Sequence, residues 1–525
     1  MVHVLRTGTG IVVAAAGLAV APLPSAPPSN ARTAILTAAD APLGGGVALV
    51  LGPSGIPIPP QSYIDMVDQL YLAPRGFTGV TQGVNTPEGL YPITGVHSLL
   101  NDTSNAQGVQ ILEHAIMAQI AGGHVDAVNP VVVFGWSQSS VISTMVMPDL
   151  AKLGVPTDDV HFVLVGDEAI PNGGVLSMFD VPAGAHPSAP SLGITFTGPQ
   201  PNDLYPTDVY TNEYDGFADF PRYPLNELST INALLGIVFQ HLLYPALTPE
   251  QIADAHQLVT SAADTLTNYY VVPDPYLPLL EPLLLFGPGG KVLYDLLEPD
   301  MRILVDLGYG SLTEGWNQGP ADVATQAGLW PTNIDPGQLL TALANGAQQG
   351  ITDAVHDLQD PTATQTALTD ALAPLVSAAH TMGFTTATDP TQLLTNLPEL
   401  LALARNFLGA GFANFPISDA TPSSSLADIV NAITGTLSGD YATLLPLGDT
   451  GTALLSSLPN AAVTLLTDSF QSGDILGGLE QGIGALAGLI PFAVMDGVIA
   501  PVAEALGGTV VNLADLLGLG GDLSD

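Results

Sequence analysis

Short, uninterrupted apolar runs alternate with longer amphipathic stretches from about residue 46 onward. The runs include "GVALVLG" (46–52), "VVVFG" (131–135) and "HFVLVGDEA" (161–169). Strands that are rich in valine and lack polar alternation are typical of parallel strands covered on both faces. Alternation of such strands with helices indicates βαβ units, so the sequence predicts an α/β domain with a mostly parallel sheet.

The pattern changes after about residue 225, beyond which we predict no further strand. The sequence becomes rich in Leu, Ala and Thr, with helix-length apolar spacing that Pro and Gly interrupt, as in "GQLLTALANGAQQGITDAVHDL" (337–358). A chain of 525 residues also exceeds the usual size of one core. We therefore predict an N-terminal segment (1–40), an α/β domain (46–325) that is helical from about 225, and a low-complexity helical tail (326–525).

One predicted strand leads directly into a candidate nucleophile. In "GWSQS" (135–139) the central Ser137 follows the run "VVVFG" and precedes a stretch that predicts a helix. A nucleophile elbow lifts a serine hydroxyl above the sheet at such a strand-to-helix turn, and it needs small residues two positions to either side. Gly135 and Ser139 meet this requirement. The alternative interpretation is an ordinary serine that caps the helix.

A serine hydroxyl needs a general base, and the base needs an orienting acid. In α/β-hydrolases these follow in the order Ser, Asp, His. Asp215 lies in a Tyr-Asp-Gly turn after the segment that we take to be the last strand, and Asp219 is the alternative acid. An Asp before Gly is also a common turn former. His241 is the nearest histidine that follows, and its alternative role is that of an ordinary residue at a helix end.

The oxyanion of an acyl-transfer intermediate needs backbone N–H donors. The residue after the nucleophile, Gln138, would supply one of them. The glycine-containing turn "LVLGPSGIP" (49–57) offers Ser54 as the second donor, through its N–H and its hydroxyl. An ordinary strand-to-helix turn is the alternative interpretation of this loop.

Several segments in order resemble the PE-PPE domain proteins of mycobacteria, a family of cutinase-related serine hydrolases with the α/β-hydrolase fold. The resemblance covers roughly residues 46 to 320. It rests on the following segments: "VLGPSGIPIP", "TPEGLYPITGVHSLLNDTSNAQGVQILEHAI", "VVVFGWSQSSVIST", "GDEAIPNGGVLSMF", "YDGFADFPRYPLNELSTINALLGIVFQHLLY", and "LPLLEPL" through "LLEPDMRILVDLGYG". Relatives usually have Gly-Gly-Thr-Gly where this chain has Gly52-Pro53-Ser54-Gly55.

The resemblance places the nucleophile of the family on Ser137, its acid on Asp215 and its base on His241. It implies a serine esterase or lipase that forms an acyl-enzyme intermediate on an acyl ester or lipid substrate. Transfer of the acyl chain to a sugar hydroxyl in envelope lipid synthesis is the alternative reaction. A non-catalytic envelope protein is the alternative of another class. No P-loop, dinucleotide fingerprint or paired metal-binding histidines occur, so we expect no cofactor or metal.

The charge composition restricts the partners. The chain has 49 acidic residues against 8 Lys and Arg, which gives a formal net charge of −41. A protein that neutralises many phosphates needs basic residues, so nucleic acid is excluded as a partner. The absence of cysteine removes disulfides, thiolate nucleophiles and cysteine-ligated zinc.

The two ends of the chain bear on localisation. The apolar run "GIVVAAAGLAVAPL" (10–23) follows Arg6 and is shorter than a membrane span, which favours a cleaved export signal over a membrane anchor. We therefore expect a secreted or cell-envelope protein. In the tail, Glu480, Asp496 and Glu504 interrupt the apolar sequence. We expect its helices to pack on each other or on the hydrolase domain, with loose attachment to the membrane or envelope as the alternative.

Overall fold

A computed structural model describes residues 42 to 502, together with residues 505 and 509. Within that range it leaves out residues 96, 190–191, 262–264, 361–363, 397–398, 400–402, 404–425 and 500. The predicted export signal therefore lies outside the described residues, and it stays a prediction.

Nine strands are present in the described part of the chain. They are β1 (Val47–Val50), β2 (Val80–Gly83), β3 (Val131–Trp136), β4 (Val160–Val165), β5 (Ser188–Ala189), β6 (Ile194–Thr195), β7 (Thr207–Asn212), β8 (His256–Gln257) and β9 (Thr267–Val272). Seven of them form one sheet in the order β2-β1-β3-β4-β7-β9-β8, in which only β8 runs antiparallel. Strands β5 and β6 form a separate antiparallel pair.

The α-helices of the described residues are numbered in chain order. They are α1 (Gln61–Val67), α2 (Asn101–Ala121), α3 (Gln138–Lys152), α4 (Val175–Met178), α5 (Glu227–Phe239), α6 (Pro249–Ala253), α7 (Glu281–Leu284), α8 (Pro288–Asp306), α9 (Pro336–Gln359), α10 (Ala367–Thr381), α11 (Pro390–Thr395), α12 (Leu426–Leu444), α13 (Pro446–Thr452), α14 (Leu458–Ser472) and α15 (Ile475–Val494).

Side chains from both faces of the central strands are buried, which explains why these strands lack polar alternation. On one face, Val131 and Val133 pack in a cluster with residues of α2 and α3, such as Leu112 and Val146. On the other face, the neighbouring Val132 packs in a cluster with residues of α1 and α10. The predicted α/β fold with a mostly parallel sheet is therefore confirmed.

The prediction that no strand follows residue 225 is wrong. Strand β9 pairs in parallel with β7 along six residues, and β8 adds to the edge of the sheet. The segment "TNYYVV" (267–272) consists mainly of β-branched and aromatic residues and ends before Pro273, which is a strand signal. Consequently β7 is not the last strand of the sheet, and Asp215 follows an interior strand.

The helices of the tail continue the core around the sheet. Ala378 and Met382 at the end of α10 belong to the cluster on one face of the sheet. Leu489 and Phe492 of α15 belong to a cluster with Phe179 and other residues of the α/β fold. The described residues of the tail and those of the sheet lie in one compact unit. The predicted domain boundary near residue 326 stays a prediction.

One helix of the described residues is long and apolar enough to cross a membrane. It runs from Ile475 to Ile499, comprises 25 residues and reaches a mean hydropathy of 1.8, although it contains Glu480 and Asp496. Core helices of soluble proteins meet the same length and composition, and 41% of this apolar window is buried against the rest of the chain.

Candidate active site

Ser137 lies in a sharp turn between β3 and α3. Its φ of 57° and ψ of −124° are a strained conformation for a residue with a side chain, and such strain is characteristic of functional sites. The turn requires close backbone packing, because a Cβ atom on Gly135 would lie 2.7 Å from the carbonyl oxygen of Ser139. Ser139 fits here because its hydroxyl accepts a hydrogen bond from the Trp136 N–H at 2.9 Å. The strand, turn and helix have the geometry of a nucleophile elbow.

His241 lies next to this serine. It follows the end of α5, and its Nε2 is 2.8 Å from the Ser137 hydroxyl oxygen. The imidazole is buried, and its ring centroid lies 4.8 Å from that of Phe217, which meets it edge-on. The arrangement places Nε2 where it can accept the Ser137 proton.

Asp215 holds the other side of the imidazole. The His241 Nδ1–H donates to the two carboxylate oxygens of Asp215 at 2.8 and 3.0 Å. The carboxylate also accepts hydrogen bonds from the Tyr244 hydroxyl at 2.8 Å and from the Phe217 N–H at 3.0 Å. Asp215 is fully buried, so these donors replace the water that an ionised carboxylate requires. The bond from the His241 Nδ1–H to Asp215 fixes the tautomer in which Nε2 is free to accept a proton.

Asp219, the alternative acid, has different partners. Its carboxylate accepts a hydrogen bond from the Tyr214 N–H at 3.0 Å, and its own N–H donates to the Asp215 carbonyl at 2.6 Å. Burial raises the pKa of the Asp219 carboxyl well above its ordinary value, and the nearby Glu213 and Asp215 carboxylates raise it further. Asp219 therefore supports the loop that carries Asp215, and it is Asp215 that contacts His241.

A side-chain hydrogen bond joins Ser54 and Gln138, the two residues that are candidates for donating to the oxyanion. Gln138 is the first residue of α3, where backbone N–H groups have no acceptor within the helix. The Ser54 hydroxyl donates to the side-chain oxygen of Gln138 at 2.8 Å. The side-chain amide of Gln138 in turn donates to Asn105 Oδ1 at 2.9 Å and to the Gly89 carbonyl at 3.1 Å. Because the Ser54 hydroxyl proton is engaged in this bond, the backbone N–H remains its candidate contribution.

The sequence interpretation missed Glu168. This residue follows β4, the neighbour of the strand that leads to Ser137, and its Oε1 lies 3.2 Å from the Ser137 hydroxyl oxygen. Burial raises the pKa of the Glu168 carboxyl, whereas the neighbouring His241 opposes this rise. The sequence did contain a signal for this residue. Glu168 closely follows one predicted strand and Ser137 follows another, and the carboxyl ends of adjacent parallel strands meet at one edge of the sheet.

The charges around His241 favour its protonated form. Burial lowers the pKa of the imidazole, but the Asp215 carboxylate beside it and the more distant Glu168 raise it, and the net change is upward. An imidazole with a raised pKa in this position is able to accept the serine proton and to hold it as an imidazolium next to Asp215. Within the described ranges, no group of three or more His, Asp or Glu side chains is arranged to hold a metal ion.

A mostly parallel sheet flanked by helices, with a serine on a strand-to-helix elbow, defines an α/β-hydrolase. A family model described as the PE-PPE domain matches residues 78–310, a range that contains Ser137, Asp215 and His241. The Uncharacterized PPE family protein PPE28 of Mycobacterium tuberculosis is 37% identical over 485 residues, which cover 90% of this chain and 68% of that protein. The chain belongs to the PE-PPE family of mycobacterial proteins, which confirms the resemblance drawn from its sequence.

Two further relatives from Mycobacterium tuberculosis have names that describe reactions. Esterase PE16 is 44% identical over 308 residues, which cover 58% of this chain and 55% of that protein. The Diacyltrehalose acyltransferase Chp2 is 28% identical over 220 residues, which cover 40% of this chain and 59% of that protein. The chain thus spans little more than half the length of these two relatives. Their names support an enzyme that processes esters.

Proposed function

We propose that the protein is a serine hydrolase that cleaves acyl esters, with Ser137 as nucleophile, His241 as general base and Asp215 as the acid that orients it. The observation that carries the proposal is the continuous chain of hydrogen bonds from Ser137 to His241 and on to Asp215, at 2.8 Å for each link. The similarity to a relative named as an esterase supports the same reaction class.

The reaction follows from this geometry. Ser137 Oγ forms a bond to the ester carbonyl carbon while its proton passes to His241 Nε2. The N–H groups of Gln138 and Ser54 would stabilise the oxyanion of the tetrahedral intermediate. When that intermediate collapses, the bond to the alkoxy group breaks and His241 donates its proton to the leaving oxygen. Water then attacks the acyl-enzyme with His241 again as base, releases the carboxylic acid and restores Ser137.

Labelling with a fluorophosphonate probe, followed by mass spectrometry of the modified peptide, tests the nucleophile. We expect the label on Ser137 and no label on the Ser137→Ala variant, which should also lose hydrolysis of nitrophenyl acetate. Ser143→Ala is the matched control, because that hydroxyl donates to the Ser139 carbonyl within α3 and lies away from His241. A Ser137→Ala variant with wild-type turnover would refute Ser137 as the nucleophile. A wild-type protein that neither reacts with the probe nor hydrolyses the ester would favour the non-catalytic alternative.

Acyl transfer to a sugar hydroxyl is the second candidate function, and the similarity to a relative named as a diacyltrehalose acyltransferase favours it. The same acyl-enzyme would serve both reactions, and only the acceptor would differ. The test is to supply an acyl ester together with trehalose and to measure free acid and acylated sugar by mass spectrometry. Release of free acid alone would assign the hydrolase, whereas formation of acylated sugar at the expense of free acid would assign the transferase.

We also propose export to the cell envelope or beyond, which rests on the apolar run at residues 10–23. Fractionation of a mycobacterial culture that expresses the full chain tests it. We expect the protein in the envelope or the medium. Recovery in the cytosol with the N-terminal residues intact would contradict this part of the proposal.

A further inference from the structure

An apolar cavity of about 130 Å³ lies between the hydrolase domain and the tail. The hydrolase side of its lining includes Phe179, Leu192 and Ile194, and the tail side includes Leu489 and Phe492 of α15. Apart from Ser188, Thr450 and Ser457, the lining consists of apolar residues and glycine. Such a surface cannot hold a charged or strongly polar ligand, whereas a hydrocarbon chain suits it.

Two ring contacts connect the lining of the cavity to the candidate active site. The ring centroid of Phe492, which lines the cavity, lies 6.0 Å from that of Phe217, and Phe217 contacts the His241 ring. The same apolar cluster includes Val141 in the first turn after the nucleophile and Ala169 beside Glu168. Packed apolar side chains therefore connect the catalytic serine to the lining of the cavity.

The tail approaches the hydrolase closely because α15 has a glycine on the facing side. A Cβ atom on Gly488 would lie 2.9 Å from the Phe179 ring and 3.1 Å from the Phe220 ring. One on Gly484 would lie 3.0 Å from the backbone of Ala327, at the start of the tail itself. Any side chain at these positions would push the helix outward. The tail therefore forms a closely packed wall of the cavity.

We propose that this cavity binds the acyl chain of the ester substrate and that helix α15 of the tail limits the length of chain accepted. The proposal rests on the proposed function, and it adds the substrate class and a role for the tail. An acyl carbon bonded to Ser137 carries its hydrocarbon chain along Phe217 and Phe492 into the cavity. Burial of each further methylene favours binding roughly fourfold until the cavity is full.

Two substitutions at Leu489 test the proposal in opposite directions, with nitrophenyl acetate, butyrate, octanoate and dodecanoate as substrates. Leu489→Trp fills the cavity, and we expect kcat/KM for octanoate to fall about tenfold while acetate hydrolysis stays within about twofold of wild type. Leu489→Ala enlarges the cavity, and we expect the preferred chain to become longer. The change in octanoate hydrolysis should appear mainly in KM, because the catalytic residues are unaltered.

Ile490→Trp is the matched control, since it places the same bulky side chain on the next residue of α15, which is 45% exposed. It should keep the wild-type preference. If both Leu489 variants hydrolyse acetate normally and keep the wild-type chain-length preference, the inference is wrong and the hydrolase proposal stands. If the wild-type protein neither hydrolyses acetate nor reacts at Ser137, both proposals fail.

Discussion

Glu168 Oε1 lies 3.2 Å from the Ser137 hydroxyl oxygen, which also lies 2.8 Å from His241 Nε2. The serine has one proton and cannot donate it to both neighbours. When it donates to His241, only a protonated Glu168 can complete the second hydrogen bond, and burial raises the pKa of this carboxyl in the required direction. Glu168 therefore adds a titrating group beside the proposed nucleophile.

Replacement of Glu168 by Gln should shift the pH profile of activity. In its ionised form the Glu168 carboxylate helps to raise the pKa of His241, so replacing it by a neutral amide lowers that pKa. His241 then stays neutral, and able to accept a proton, at lower pH. We expect the acidic limb of kcat/KM against pH to move to lower pH in Glu168→Gln.

Glu227→Gln is the control for this shift, because it removes the same charge from an exposed position in the first turn of α5. Its pH profile should match that of the wild-type protein. An acidic limb of Glu168→Gln that stays in place or moves to higher pH would show that Glu168 does not act on His241.

Asp215 and Asp219 should respond differently to the same substitution. Asp215→Asn removes the charge that stabilises the imidazolium, and we expect kcat to fall about ten-thousand-fold with little change in fold. Asp219→Asn should keep most of the turnover, because an amide oxygen can still accept the hydrogen bond from the Tyr214 N–H. The measurements are steady-state kinetics and melting temperature. A large loss of kcat only at position 219 would reverse the assignment.

Glu281 should make the protein less stable in alkaline solution. Its carboxyl is buried and lies near Asp274, which together raise its pKa from 4.5 to about 9. The folded protein therefore holds this proton more tightly than the unfolded chain does. The stabilising effect of this bound proton is complete below pH 4.5 and disappears as the pH rises through about 9. We expect Glu281→Gln to melt near the wild-type temperature at pH 5 and well above it at pH 9.

Glu250→Gln is the comparison for Glu281→Gln, since Glu250 is exposed at the start of α6. The difference in melting temperature between that variant and the wild-type protein should not depend on pH. A Glu281→Gln variant with the same constant difference would mean that this carboxyl is ionised in the folded protein at neutral pH.

Phe492 should contribute to the stability of the whole molecule as well as to the tail. The side chain is 7% exposed, and its ring centroid lies 6.2 Å from Phe179 and 6.3 Å from Phe220. We expect Phe492→Ala to lower the free energy of unfolding by about 3 kcal/mol, measured by denaturant titration. Phe470→Ala, at a position that is 66% exposed, should cost less than about 0.5 kcal/mol. Equal losses would show that the tail does not contribute to the core.

The elbow was predictable because it is local. The run before Ser137, the small residues on either side of it and the helix after it lie within some twenty positions, and each has a recognisable pattern. Asp215 and His241 could be named only through the order of the triad and the family resemblance. Their contact joins the loop after β7 to the end of α5, and no local pattern contains it.

The features that the sequence interpretation missed are tertiary. Strand β9 carried its own β-branched and aromatic signal, but the helical composition around it hid this signal. The contact of Glu168 with Ser137 depends on the pairing of two strands that lie about thirty residues apart. The contact of Phe492 with Phe217 joins segments separated by well over two hundred residues. The composition of the tail predicts helices, but it does not predict which residues of the rest of the chain those helices contact.

The hydrogen bonds of the Gln138 side chain also affect how the enzyme would meet its substrate. They tie the first loop, through Ser54, and helix α2, through Asn105, to the residue that follows the nucleophile. Dipoles that are held in place before the reaction need not reorient during it. The reorganisation free energy that water molecules would require around the developing charge is therefore avoided. The polar half of the site is thus preorganised in the free protein, so an arriving ester would have to adapt its shape to the enzyme.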